Sequence, residues 1–187
     1  SLISIFAGSR KSEINILMPI LLNFVKLMNS KYNHINYVFH STMEHYQLIQ
    51  SFIKSENLSN CEIVSDDKIK SHILQKSIFA VAKSGTVSLE ICNANIPSII
   101  IYKMGFINFL IVKSLVTTKF ANIINFAANE EIIPELLQSD CNSKNIFKYL
   151  NNFLDNPNKI DEQIEKTQLI LNKLKTKKSS SELASLS

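Results

Sequence analysis

Between residues 2 and 102, short runs of strand-forming residues alternate with segments of helical spacing, and this alternation limits the fold more than any other property of the chain. Residues 2–7 are an apolar run that stops at Gly8-Ser9-Arg10. Residues 12–30 then place Ile14, Leu17, Met18, Leu21, Leu22, Val25 and Met28 on one helical stripe. Pro19 lies inside that stripe and removes a backbone donor, which predicts a kink or a late helix start. Strands are expected over 35–40, 61–64, 78–82 and 98–102, and helices over 43–55, 66–75 and from Ser84-Gly85-Thr86 to about Asn93. Strands separated by helices cannot pair as hairpins; they need crossovers, and crossovers give a parallel sheet covered on both faces. The expected fold class is therefore α/β, a Rossmann-like doubly wound parallel sheet. Beyond it the pattern reads as an apolar helix over 106–115, a linking stretch through Asn125, a helix from Glu135 after Pro134, helices over 143–154 and 159–174, and a frayed Ser-rich tail over 179–187.

With 187 residues, 45% of them hydrophobic and 19% charged, the chain holds one core and lacks the polar bias of a disordered segment. A net charge of +4 and dispersed lysines give no basic groove for nucleic acid. Lys173, Lys175, Lys177 and Lys178 read as the solvated end of a helix, where cations suit the dipole. Cys61, Cys92 and Cys141 form neither a disulfide framework nor a zinc motif, and His34, His40, His45 and His72 lack metal-ligand spacing, so a reducing cytoplasm and no metal are expected. Residues 96–116 are broken by Pro97, Lys103, Gly105 and Lys113 and do not form a membrane span. The chain opens directly on a strand with no charged leader, which suggests a cut through a larger protein.

Of three glycines, Gly8 and Gly85 stand where a strand hands over to a helix. Ligands of open α/β sheets bind beyond the carboxyl ends of the strands, where backbone N–H groups meet anions. Arg10 has a guanidinium suited to a pyrophosphate, and it is equally a surface residue paired with Glu13. Ser84, Gly85 and Thr86 suit a phosphate turn or a plain helix cap. Glu90 is placed to accept from ribose hydroxyls or to complement the helix dipole. Neither a dinucleotide fingerprint nor a P-loop is present, which counts against a dinucleotide dehydrogenase and a P-loop NTPase.

Gly8-Ser9-Arg10 with Glu13, the run Lys83-Ser84-Gly85-Thr86-Val87-Ser88-Leu89-Glu90, and Asn125 followed by Pro134-Glu135-Leu136-Leu137-Gln138 resemble the C-terminal half of the lipid-A-disaccharide synthases. The resemblance covers residues 1–155, with 156–178 as a helical extension and 179–187 as a polar tail. It implies the C-terminal, UDP-sugar-binding domain of a glycosyltransferase-B fold, with no cofactor. The implied reaction transfers diacylglucosamine from UDP-diacylglucosamine to diacylglucosamine 1-phosphate, giving lipid A disaccharide phosphate and UDP. Carried over by residue, Gly8, Ser9 and Arg10 face the pyrophosphate, Ser84, Gly85 and Thr86 present N–H and hydroxyl groups to phosphate, and Glu90 holds the ribose. Asn125 orients the donor, and Glu135 and Gln138 share a helix face toward the cleft.

Two departures stand out: Ala7 replaces a proline before the first glycine, and a glycine is replaced near Asn129, a residue type that tolerates the left-handed conformation. The acceptor site and general base are expected in an N-terminal half that this sequence lacks, which predicts a chain inactive alone unless a separately encoded N-terminal fragment completes the cleft; a homodimer is left open. The 106–115 segment, with Phe106, Phe109 and Leu110 flanked by Lys103 and Lys113, reads as buried core or as a surface for lipid at the inner membrane of a Gram-negative bacterium. Alternatives to the transferase are a non-catalytic nucleotide-binding relic and another UDP-sugar enzyme such as an epimerase, the latter disfavoured by the PELLQ run.

Overall fold

The computed structural model describes residues 1–105 and 119–184. Five expected apolar runs become strands: β1 (Leu2–Phe6), β2 (Asn36–His40), β3 (Cys61–Val64), β4 (Phe79–Lys83) and β5 (Ser98–Tyr102). A sixth, β6 (Glu135–Leu137), pairs at the edge, giving the order β3-β2-β1-β4-β5-β6. Every pairing is parallel. The helices are α1 (Lys11–Asn29), α2 (Tyr46–Ser55), α3 (Asp67–Lys76), α4 (Val87–Asn93), α5 (Ile123–Ala128), α6 (Ser143–Asp155) and α7 (Pro157–Ala184). This is the expected doubly wound α/β sheet.

The period-2 alternation of strand side chains divides the core into two layers. Ile3, Ile5, Phe79, Val81, Ile99 and Ile101 point to one face, against Leu17 and Leu21 of α1, Ile49 of α2 and Ile146 and Leu150 of α6. Ala80, Ala82 and Ile100 point to the other, against Leu74 of α3, Ile91 of α4 and Ile170 and Leu171 of α7. Each large side chain removed from water contributes about 1.5–3 kcal/mol, so these layers dominate the stability of the sheet. Gln163 of α7 fastens the second layer: its Oε1 accepts from Ser98 N–H at 2.7 Å and its Nε2 donates to Ser98 O at 3.0 Å.

The chain winds β1 to β2 to β3 in one direction, then returns to the middle and winds β4 to β5 to β6 in the other. The order reverses between β1 and β4, and that is where an open parallel sheet leaves a crevice at its carboxyl edge.

Several expectations need correction. Glu135 does not begin a helix; it begins β6, and a single 3-10 turn (Gln138–Asp140) follows. Pro134 has no N–H but offers its carbonyl to Ile100 N–H at 2.9 Å, which suits the entry to an edge strand. Asn125 is not in a linker but in α5, which Asn122 caps by accepting from Ile124 N–H at 2.8 Å. Pro19 does not delay α1, which starts at Lys11. Helix α2 starts at Tyr46, after a turn closed by His45 N–H on Thr42 O, and α7 continues to Ala184 through much of the supposed tail. Asn129 takes the left-handed conformation, φ 53°, as the replaced glycine implied. The apolar segment 106–115 lies outside the described residues. No helix among the described residues is long and apolar enough to cross a membrane.

Candidate functional site

A cavity of about 700 Å³ opens at the carboxyl edge of the sheet. Its walls are the β1–α1 turn (Gly8, Ser9), the end of β2 (His40 to Thr42), α3 (Lys70, Leu74) and the β4–α4 turn with α4 (Lys83 to Val87, Glu90). It therefore occupies the topological switch point. Six of the residues singled out in the sequence line it: Gly8, Ser9, Ser84, Gly85, Thr86 and Glu90.

Glu13 organises the first turn. Gly8 has φ +106°, and a Cβ there would stand 2.6 Å from Glu13 Oε2, so only glycine lets the carboxylate tuck beneath the turn. Glu13 Oε2 accepts from Ser9 N–H at 3.3 Å, and its Oε1 lies 3.0 Å from Lys83 Nζ at the end of β4. Arg10 follows Ser9 outside the cavity lining, 79% exposed, with Nη1 3.7 Å from the same Oε1. Thus the pairing of Arg10 with Glu13 is present, yet loose, and the guanidinium remains open to solvent. His45 Nε2 donates to Ser9 O at 3.0 Å, fixing the turn from the α2 side.

The second turn uses Ser84 differently from expectation. Its N–H donates to Ile101 O at 3.0 Å and its hydroxyl to Ala121 O at 2.8 Å, so both donors that were to meet phosphate are committed inside the protein. Gly85 and Thr86 are exposed on the cavity wall, and Glu90 is exposed one turn further on.

Asn125, Glu135 and Gln138 lie outside the cavity lining, with Asn125 and Glu135 hydrogen-bonded to each other. Asn125 is fully buried. Its Nδ2 donates to Ile133 O at 2.6 Å and Glu135 Oε1 at 2.8 Å, while its Oδ1 accepts from Ile132 N–H and Ile133 N–H, both at 2.9 Å. An amide side chain offers two donors and two acceptor sites, and all four are used. Asn125 consequently has no group left to orient a donor sugar; it holds the approach to β6. Glu135 accepts from Ala121 N–H at 2.7 Å and Asn122 N–H at 2.9 Å, and Gln138 Oε1 accepts from Met104 N–H at 3.5 Å. The expected common helix face of Glu135 and Gln138 is absent because they lie on a strand and in a turn.

Lys83 and His40 also line the cavity, although the sequence assigned neither a ligand role. The signal for Lys83 was its place directly before Ser84; for His40, its place at the end of a central strand. The His40 ring stacks on Phe6 at 4.1 Å, and its Nε2 lies 2.8 Å from Ser4 Oγ, itself 2.7 Å from Ser77 Oγ. Ser77 donates its only hydroxyl proton to Ile73 O at 3.0 Å. Ser4 must therefore donate to Ser77, and His40 Nε2–H to Ser4, which selects the neutral Nε2–H tautomer. Burial, with the nearby Lys70 charge adding to it, pushes the imidazole down to about 4. Nδ1 is buried and unpaired among the described residues.

A family model described as lipid-A-disaccharide synthetase matches residues 1–186. Lipid-A-disaccharide synthase from Rickettsia typhi is 31% identical over 94% of this chain and 46% of its own length. The protein of that name from Rickettsia felis is 33% identical over 89% and 42%. The chain thus spans less than half the length of the curated relatives it matches. Among solved structures, the catalytic domain of cholesterol-α-glucosyltransferase from Helicobacter pylori superposes with a TM-score of 0.60 at 14% identity, covering 91% of this chain and 98% of that one. The C-terminal domain of a group 1 glycosyl transferase from Francisella tularensis gives a TM-score of 0.59 at 13% identity, covering 92% and 84%. At such identities the likeness is one of fold, and the fold is that of a glycosyltransferase-B C-terminal domain.

Proposed function

Because this chain belongs to the lipid-A-disaccharide synthetase family, we propose that its switch-point cavity is the UDP-sugar site of a lipid A glycosyltransferase. In the reaction so assigned, a hydroxyl of diacylglucosamine 1-phosphate replaces UDP on the anomeric carbon of diacylglucosamine. The bond to UDP breaks, the new glycosidic bond forms, and the hydroxyl proton passes to a base. The observation that carries this reading is the meeting of the Gly8-Ser9 and Ser84-Gly85-Thr86 turns and Glu90 on one cavity.

In that site Arg10 and the backbone of Gly8, Ser9, Gly85 and Thr86 meet the diphosphate. Glu90 accepts from the ribose hydroxyls. Ser84, with its donors committed, sets the path of the turn. The acceptor and the base belong to the part of the relatives' length that this sequence does not span, so the 187-residue chain binds UDP and transfers no sugar by itself. The acyl chains of both substrates would bring the enzyme to the cytoplasmic side of the inner membrane of a Gram-negative bacterium.

Calorimetric titration with UDP and ADP tests the assignment. UDP is expected to bind in preference to ADP and to weaken in both Arg10→Ala and Glu90→Ala. A folded chain that binds neither nucleotide would favour a non-catalytic relic, and sugar transfer by the isolated chain would overturn the division of labour.

A further inference from the structure

Lys83 is the last residue of β4, on the cavity wall beside both turns. Its side chain is 20% exposed, and the Glu13 carboxylate that meets it at 3.0 Å is 12% exposed. The ammonium also lies 5.3 Å from the centre of the Tyr102 ring, an aromatic face that holds a cation without consuming a hydrogen-bond donor. A lysine ammonium has three donors, and Glu13 takes one. Arg10 approaches the same carboxylate oxygen at 3.7 Å. Among the described residues, neither cation has another acidic partner, so two positive charges share one negative charge.

The same carboxylate also receives Ser9 N–H. Glu13 therefore ties the β1–α1 turn to the end of β4 across the point where the sheet reverses its winding. This arrangement leaves Lys83 with little rotamer freedom to lose and with donors and excess charge facing the cavity, which is what an anion site requires.

We propose that Lys83 binds a phosphate oxygen of the ligand in this cavity, with Glu13 as its positioning residue. The inference rests on reading the cavity as a nucleoside diphosphate site. It adds to the backbone turns a hydrogen-bond donor of full positive charge, and it predicts that affinity follows the phosphates of the ligand more than its nucleoside.

The test compares the whole chain with Lys83→Met, which keeps length and removes charge, and Lys83→Arg, which restores charge. Each is titrated with UDP, uridine and inorganic pyrophosphate after its fold is verified by circular dichroism. Losing a charge-assisted bond weakens binding about tenfold or more, so Lys83→Met should lose that factor for UDP and pyrophosphate, keep its affinity for uridine, and regain most of the loss as Lys83→Arg. Unchanged UDP affinity in Lys83→Met, or an equal loss for uridine, overturns the proposal while leaving the nucleotide site standing. Pyrophosphate binding that depends on Lys83, in a chain that ignores UDP, supports Lys83 and overturns the nucleotide reading. A folded wild-type chain that binds neither UDP nor pyrophosphate overturns both.

Discussion

Replacing Asn125 by alanine separates a scaffold residue from a ligand residue more sharply than any other single change. The side chain is fully buried and makes four hydrogen bonds. Its removal strands Ile133 N–H and Ile133 O, both in a buried residue, while Ile132 N–H lies nearer solvent and can find water. Glu135 keeps its bonds from Ala121 and Asn122 and is penalised least. Two buried unpaired backbone groups at about 1–3 kcal/mol each, with a small cavity added, make a loss of about 4 kcal/mol. In a domain of this size that lowers the melting temperature by about 10 °C. Urea unfolding with a matched thermal melt measures it. Under conditions where the variant remains folded, its UDP affinity should equal that of the wild type. A stability loss below about 1 kcal/mol together with impaired UDP binding would refute the scaffold assignment and return Asn125 to the ligand.

Three further outcomes are expected. Gly8→Ala, which forces a side chain into φ +106° and against Glu13, should cost about 1–3 kcal/mol in chemical denaturation; a neutral result would mean the turn can reform. His40 has a folded-state pKa lowered from 6.5 to about 4, so the unfolded chain binds its proton first; stability is complete above about pH 6.5 and falls as pH drops toward 4, by up to about 3 kcal/mol. His40→Gln should flatten that part of the pH–stability curve, and an unchanged slope would assign it to other groups. Gln163→Leu removes both bonds to Ser98 and should destabilise by about 2 kcal/mol while leaving UDP binding intact, read by melting and calorimetry.

The sheet was legible because most of its strands carry their own signal. Ser98–Tyr102 falls where its apolar run places it, since a strand buried on both faces is a continuous apolar run. Glu135–Leu137 carries no such signal: three residues, all of them good helix formers, are extended only because β5 supplies a partner edge. The left-handed turn at Asn129 could be anticipated because asparagine replaces a glycine of the family there and tolerates that conformation.

The candidate site divides along the same line. Gly8 and Gly85 mark the two turns in sequence, but the link between those turns is Glu13 to Lys83, a contact that exists only after β1 and β4 lie side by side. Likewise the motif residues Asn125 and Glu135 invite a ligand role as long as their partners are unknown. Once every donor and acceptor of Asn125 is assigned, and the Glu135 carboxylate is seen to hold Ala121 and Asn122, the motif splits into residues that face the cavity and residues that hold the backbone. Ser84 bridges the two groups, because its hydroxyl reaches from the cavity wall to the Ala121 carbonyl, whose own N–H is held by Glu135. A disturbance at β6 therefore has a path of three hydrogen-bonded residues to the phosphate turn, and a loss of binding in a Glu135 variant is not by itself evidence that Glu135 touches the ligand.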